Sequence, residues 1–413
     1  MTSLCLSFMV FDLHTGESLR GAVARVHDGK TTLTPGAFKL RSQLLGFTYN
    51  PYTLVLHERL NLDVAATLMY DWAHLALCDG LGDNQIGMMF KCLQRASGLC
   101  TLYKFAEYAK SFTLPQNYPA IHKALTDDKC RNNLAKASFS TTASELLTIV
   151  PLLIRFITCV VLVSGDCPLE AASCLAVLEL IDALHNIKAR CVSPECLQAL
   201  VKRFLDANNA AYGTDMIVPK YHYILHLADM LRRFGTLFSC LVNERRHRVV
   251  KKYTKDRVAD QRWELGALEE VVTFQMYEAQ HVEYGTYGLM KPHEPLGMKK
   301  VQLEAIFPHA STIMQGIDLR NAYGTVHVND VAWVSHGDAM FAAQIRMLCS
   351  VDGHDIAIVD KFDLVKNDSP WSVWRRVQDN VQLVSHLDVL SAVVWKENAS
   401  AISVHKPLYL RES

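Results

Sequence analysis

AATLMYDWAH, residues 65–74, is the stretch on which the fold turns. Ala65 to Tyr70 is a short apolar run that reads as a strand. Asp71 ends it, and Trp72 to His74 leads into a helix that is clear by Gln85 to Leu93. A carboxylate at the carboxyl end of a strand faces the crevice where open α/β sheets hold ligands, and there it can hold a divalent metal. His74, three residues on, shares that side if a helical turn follows. A second reading has equal standing: Asp71 is simply the N-cap of the next helix.

Upstream, LCLSFMVFD (residues 4–12) reads as a buried strand ending in Asp12. Leu19 to Val26 follows turn chemistry at residues 14–17 and reads as a returning strand. Thr34-Pro35-Gly36 opens a short helix that Gly46 stops. Downstream, from about 85 to 280, apolar residues recur every three or four positions. The clearest runs are Glu170–Ile187, Pro194–Asn208 and Pro219–Phe234. One segment, Leu146 to Val163, is apolar enough to imitate a membrane span. Arg155 and Pro151 inside it favour a helix buried among other helices, so no membrane partner is expected. After about residue 285 the texture changes to short β-branched and aromatic runs separated by turns, the pattern of a small barrel.

These runs divide the chain into an α/β region at 1–84, a helical region at 85–283, a linker at 284–320 and an all-β module at 321–413. The class is α+β, mostly helical, with a large all-α insertion after a partial α/β core and a small barrel-like all-β domain at the end.

Composition narrows the function. The 413 residues carry 42 Lys+Arg against 42 Asp+Glu, and half are apolar. That excludes large-scale disorder and a uniformly basic nucleic-acid coat. Twelve cysteines without a C-x-x-C pair point to a reducing compartment, nucleus or cytosol. No G-x-S-x-G and no Walker sequence is present, so acyl transfer and ATP-driven chemistry have no support.

The neutral sum hides unlike parts. Between Arg232 and Arg262 lie ten basic and three acidic residues, a local charge of +7. Arg245, Arg248 and Lys252 share a helix face there, which suits phosphates, although a charge run is commonly just a solvated face. Glu244 stands at the start of the run. An acid beside a basic helix is what a metal-dependent nuclease needs. His222 and His226, four apart, have the spacing of zinc-binding helices. Position 223 is Tyr, however, where such helices carry a Glu, and two packed histidines are the plainer alternative.

Taken together these segments resemble CACTA-type (En/Spm-like) DNA transposases. Asp71-x-x-His74 with its glycine-rich follow-on is similar to their second-Asp motif. Lys220-x-His222-x-x-x-His226 with Phe234-Gly235 is similar to their K-x-H-x-x-x-H…F-G segment, and Phe238 to Glu244 to the segment holding the last catalytic acid. Leu45-Gly46-Phe47 and Pro51 resemble the stretch before the second Asp. The resemblance covers roughly residues 35–262 and rests on order and spacing.

It implies an RNase H-like core interrupted by the helical insertion, with Mg²⁺ held by carboxylates for in-line attack on a phosphodiester. Asp71 and Glu244 are then metal ligands, and Asp12 is the candidate first acid. His74, His222 and His226 support the site. Arg245, Arg246, Arg248, Lys251, Lys252 and Lys255 face DNA. The family's upstream Cys-rich part has no counterpart here, so the expectation is a truncated, weakly active or inactive nuclear descendant. The alternative is a non-catalytic DNA- or chromatin-binding protein that uses the basic helix and the β module. A helical scaffold without a nucleic-acid role is the third reading. Self-association and a protein partner for the β module are compatible with each.

Overall fold

The structure, a computed structural model, describes residues 15–57, 59–60, 63–67, 69–77, 79–96, 101–187, 192–214, 217–239, 287–321, 323–368, 370–398 and 401–407, with fragments of a helical stretch at 266–276. Asp12, Glu244, Arg245, Arg246, Arg248, Lys251, Lys252 and Lys255 lie outside these residues. The chain divides into two units, Met1–Tyr70 and Asp71–Ser413.

The first unit is helical where described. α1 (Gly16–Thr32) and α2 (Pro35–Leu45) are followed by a short turn of helix, α3 (Val64–Thr67). The strand expected at Leu19–Val26 is therefore the interior of α1. Ala22, Val23, Val26 and Gly29 are its buried positions. That spacing is helical, not alternating. Thr15 and Ser18 close a capping box in front of it, which fixes where it starts. α2 begins with Pro35 in its first turn and ends at Gly46 with φ 73°, as expected. The second expected strand, residues 65–70, gives way to α3, where the Thr67 hydroxyl donates to the Asp63 carbonyl. Six apolar residues are too few for periodicity to separate a strand from a buried helical turn.

The second unit opens with α4 (Trp72–Ala76), α5 (Leu81–Ala96), α6 (Leu102–Lys110), α7 (Asp127–Lys136), α8 (Ala143–Phe156), α9 (Pro168–Asn186), α10 (Pro194–Tyr212), α11 (Pro219–Tyr223) and α12 (Leu227–Phe234). α8 and α9 are the centre: Leu146, Ile149, Leu152, Leu153, Leu178, Leu180 and Ile181 are fully buried or nearly so. The Thr142–Glu145 capping box starts α8. Pro151 removes one backbone donor from α8, and the helix runs on through a wider turn at Ile157–Val161 to Ser164. Ala143–Ser164 is long and apolar enough to cross a membrane by length and composition, but most of it is buried inside this protein.

All strands among the described residues lie at or after Gly288. The RNase H-like sheet expected around Asp71 is thus not seen there, and the protein is α+β through its C-terminal part. That part starts earlier than expected. Within the supposed linker, β1 (Gly288–Met290), α13 (Gly297–Ile306), β2 (Ile313–Gly316) and β3 (Asp318–Asn321) are already ordered elements. β4 (Gly324–His327), β5 (Val331–His336), β6 (Ala339–Val351), β7 (His354–Asp368), β8 (Trp371–Ser385), β9 (Val389–Ala392), β10 (Trp395–Asn398) and β11 (Ala401–His405) follow.

The main sheet runs β10-β11-β8-β7-β6-β5-β9, antiparallel throughout, with β2 added on β6. Register shifts at Ile345/Met347, Asp360/Phe362 and Leu364/Lys366 curl it into a half-barrel. Trp333 and Trp374 meet edge-on at 5.5 Å in its core. It rests on the helices. Thr113 and Trp395 exchange backbone hydrogen bonds of 2.8 and 3.1 Å, and Gln116 Nε2 donates to the Val328 carbonyl. Arg155 stands 4.7 Å from the Trp371 ring and donates to Ser403 Oγ. Its charge is thus held at a helix–sheet contact.

Candidate functional site

Asp71 sits at the N-cap of α4. Its Oδ1 accepts the Ala73 N–H at 3.0 Å, and its Oδ2 lies 2.5 Å from His74 Nδ1. The helix-cap reading therefore holds, and the His74 ring is held on the same side as the carboxylate. Asp71 is 18% exposed and His74 58%, so the pair is open to solvent at the histidine.

Lys220 on α11 reaches across to this turn. Its Nζ donates to the His74 carbonyl at 2.8 Å and to the Asp79 carbonyl at 2.7 Å. A lysine at the carboxyl end of a helix satisfies orphan carbonyls and the helix dipole together. A third segment joins from the chain after α12, where the Phe238 carbonyl accepts the Trp72 N–H at 3.4 Å. Segments 71–79, 220–226 and 238, far apart in sequence, thus meet in one place. Glu244 is six residues beyond Phe238.

The backbone of α11 is anchored from below. Tyr221 is buried, stacked on Phe204 with ring centroids 5.7 Å apart, and its hydroxyl accepts from Gln85 Nε2 at 3.0 Å. Gln85 also donates to Asn208 Oδ1 and accepts from Ser173 Oγ. This closed polar network ties α5, α9, α10 and α11 together, and every Gln85 hydrogen-bonding atom has a partner. His222 and His226 then project from one side of α11 and the following turn, with Nε2 atoms 3.4 Å apart. Burial, and then the neighbouring His222, push the His226 ring below the usual imidazole range.

The glycines after His74 have a packing reason. A Cβ on Gly80 would meet the Ala76 carbonyl carbon at 2.7 Å, and one on Gly82 the Ala76 oxygen at 2.8 Å. α5 therefore turns back tightly over α4, which fixes the Asp71–His74 turn against the bundle.

Sequence reasoning missed Asp83. It is 1% exposed; Oδ2 accepts the Asp79 N–H at 2.8 Å, and Oδ1 is buried without a partner. Desolvation pushes its carboxyl up to about 7, opposed first by the Asp79 N–H. The available signal was an acid in the first turn of a helix, directly after Gly80-Leu81-Gly82. Because the folded value lies above the ordinary one, the stability this group contributes is full below about pH 4. It is lost as pH rises through about 7. Asp83→Asn should remove that loss. Urea midpoints measured from pH 5 to 8 should fall less steeply for the variant, which gains on the order of 2 kcal/mol over the parent at pH 8.

Of the basic stretch, only Arg232 and Arg233 are described. Arg232 pairs with Asp229 at 2.6 Å and Glu195 at 3.1 Å, so its charge is already matched, and Arg233 stacks over Phe234. Of the carboxylates expected to hold a divalent metal, only Asp71 is among the described residues. No group of three or more His, Cys, Asp or Glu that could hold a metal occurs among them. No known protein family, curated protein or solved structure matches this chain.

Proposed function

We propose that this chain is a CACTA-transposase-like DNA-binding protein, with Asp71 and Glu244 as its metal-binding carboxylates. The observation that carries the reading is the convergence of its three loosest motifs. Lys220 Nζ binds the His74 and Asp79 carbonyls, and the Phe238 carbonyl accepts the Trp72 N–H, so the D-x-x-H and K-x-H-x-x-x-H segments meet with Phe238, the first residue of the third segment, beside them. Three unrelated loose matches have no reason to meet. Mg²⁺, when bound, neutralises phosphate charge and lowers the pKa of water. The chain's own part is to orient it: His74 holds the Asp71 carboxylate, and Lys220 holds the turn that carries both.

One observation favours a second reading, a DNA-binding descendant without catalysis. Both Asp71 oxygens already have partners, Ala73 N–H and His74 Nδ1. A carboxylate engaged in this way serves a helix cap as well as it serves a metal.

Both readings need DNA, and one experiment tests that. Binding of a random-sequence duplex should weaken steeply with salt. Replacing Arg245, Arg248 and Lys252 together by alanine should cost roughly 10²-fold near 0.15 M salt and lower the log–log salt slope by about 3. Unchanged affinity in that variant would defeat both.

A further inference from the structure

The His222 and His226 rings meet edge to face, at 82° with centroids 5.1 Å apart. Their Nε2 atoms stand 3.4 Å apart, long for a hydrogen bond between them. Two metal–nitrogen bonds of about 2.0–2.1 Å at a tetrahedral angle place their nitrogens about 3.3–3.4 Å apart. We propose that His222 and His226 form a two-imidazole site for a borderline divalent transition metal of the zinc class.

The backbone that carries the pair is fixed before any metal arrives. Lys220, two residues before His222, is tied to the His74 and Asp79 carbonyls. Tyr221 is locked by Gln85 and Phe204, and Ile224 and Leu227 are fully buried. The chain from 220 to 227 therefore has little freedom, and the two histidines leave it one turn apart on a common side. Such prepositioning reduces the ordering that ligation would otherwise require. His222 is exposed and His226 half-buried.

The donor set selects the metal. Imidazole nitrogen suits Zn²⁺, Ni²⁺ and Cu²⁺, while Mg²⁺ prefers oxygen. Among the described residues no further His, Cys, Asp or Glu makes this a group of three. Two protein donors with water completing the shell give a moderate affinity, in the order Ni²⁺ below Cu²⁺. The site goes beyond the Mg²⁺ assignment to Asp71 and Glu244, and it stands whether or not the chain cuts DNA.

The test uses the full-length reduced protein without DNA. Zn²⁺, Ni²⁺ and Mg²⁺ are titrated separately in chelator-treated buffer at pH 7.5 and followed by calorimetry. Co²⁺ absorption reports the ligand field. Zn²⁺ and Ni²⁺ should each show a saturable site that about 100-fold excess Mg²⁺ does not displace. His222→Ala, at an exposed position, and His226→Gln, at a half-buried one, should each lower zinc affinity roughly tenfold or more. Circular dichroism should be unchanged in His222→Ala. Zinc binding retained at parental affinity in both variants would assign the metal to the cysteines and overturn the proposal. Absence of saturable Zn²⁺ binding to the parent at about 100 µM would overturn it as well. Failure of the DNA experiment bears on neither result.

Discussion

Glu244→Gln is expected to reduce Mg²⁺-dependent strand cleavage by on the order of 10³-fold while leaving duplex affinity within about twofold. Asp71→Asn should do the same. The size follows from the several kcal/mol of transition-state charge stabilisation that a divalent metal supplies when its carboxylates hold it. Asn is a good N-cap, so the Ala73 N–H keeps an acceptor and α4 should remain formed. Loss of cleavage in that variant would then report chemistry and not folding. The assay is nicking of a supercoiled plasmid with Mg²⁺ or EDTA. A parent protein that binds duplex but nicks nothing would move the assignment to the non-catalytic descendant. Equal nicking by the parent and both variants would trace the activity to a contaminant or another site.

Gly87→Ala should destabilise the second unit by about 3 kcal/mol or more, roughly a hundredfold in the folding equilibrium. An added Cβ would lie 2.4 Å from Ser138 N and 2.5 Å from the Ala137 carbonyl carbon and oxygen. Those are backbone atoms at the end of α7, where Ala137 is left-handed with φ 51°, so they cannot swing aside as a flexible side chain would. The Phe139 N–H donates to the Asp83 carbonyl at 2.9 Å just beside them, so a shift there also loosens the first turn of α5. Alanine's better helix propensity returns only about 1 kcal/mol. A urea midpoint unchanged from the parent would show that α5 and the 137–138 turn are not in the contact described.

What was legible in the sequence was local. The 3.6-residue period over α9 and α10, Pro35 and Gly46 around α2, and the turn-separated β-branched runs after Gly324 each report on a few neighbouring residues, and each agrees with the element found there. Short apolar runs failed. Leu19–Val26 and Ala65–Tyr70 read as strands because few residues leave the period ambiguous, although the Thr15–Ser18 box starts α1 in front of the first of them. The stretch 284–320 reads as a linker because β1 to β3 are only three or four residues long. Each acquires its structure by pairing with a remote strand, such as β1 with β3 and β2 with β6.

The candidate site divides along the same line. Asp71, His74, Lys220, His222 and His226 were visible as residue types at motif spacing. By itself the sequence determined which donors exist, their helical spacing and the concentration of positive charge after Arg232. Only the tertiary structure decided that Asp71 caps a helix and binds His74, that Lys220 closes on its carbonyls, and that Asp83 is stripped of water. It also decided that the two imidazoles stand 3.4 Å apart. The physical reason is range. Propensity and periodicity act over one or two turns of chain, whereas desolvation, side-chain reach and the partner of a buried polar group depend on segments that lie more than a hundred residues away.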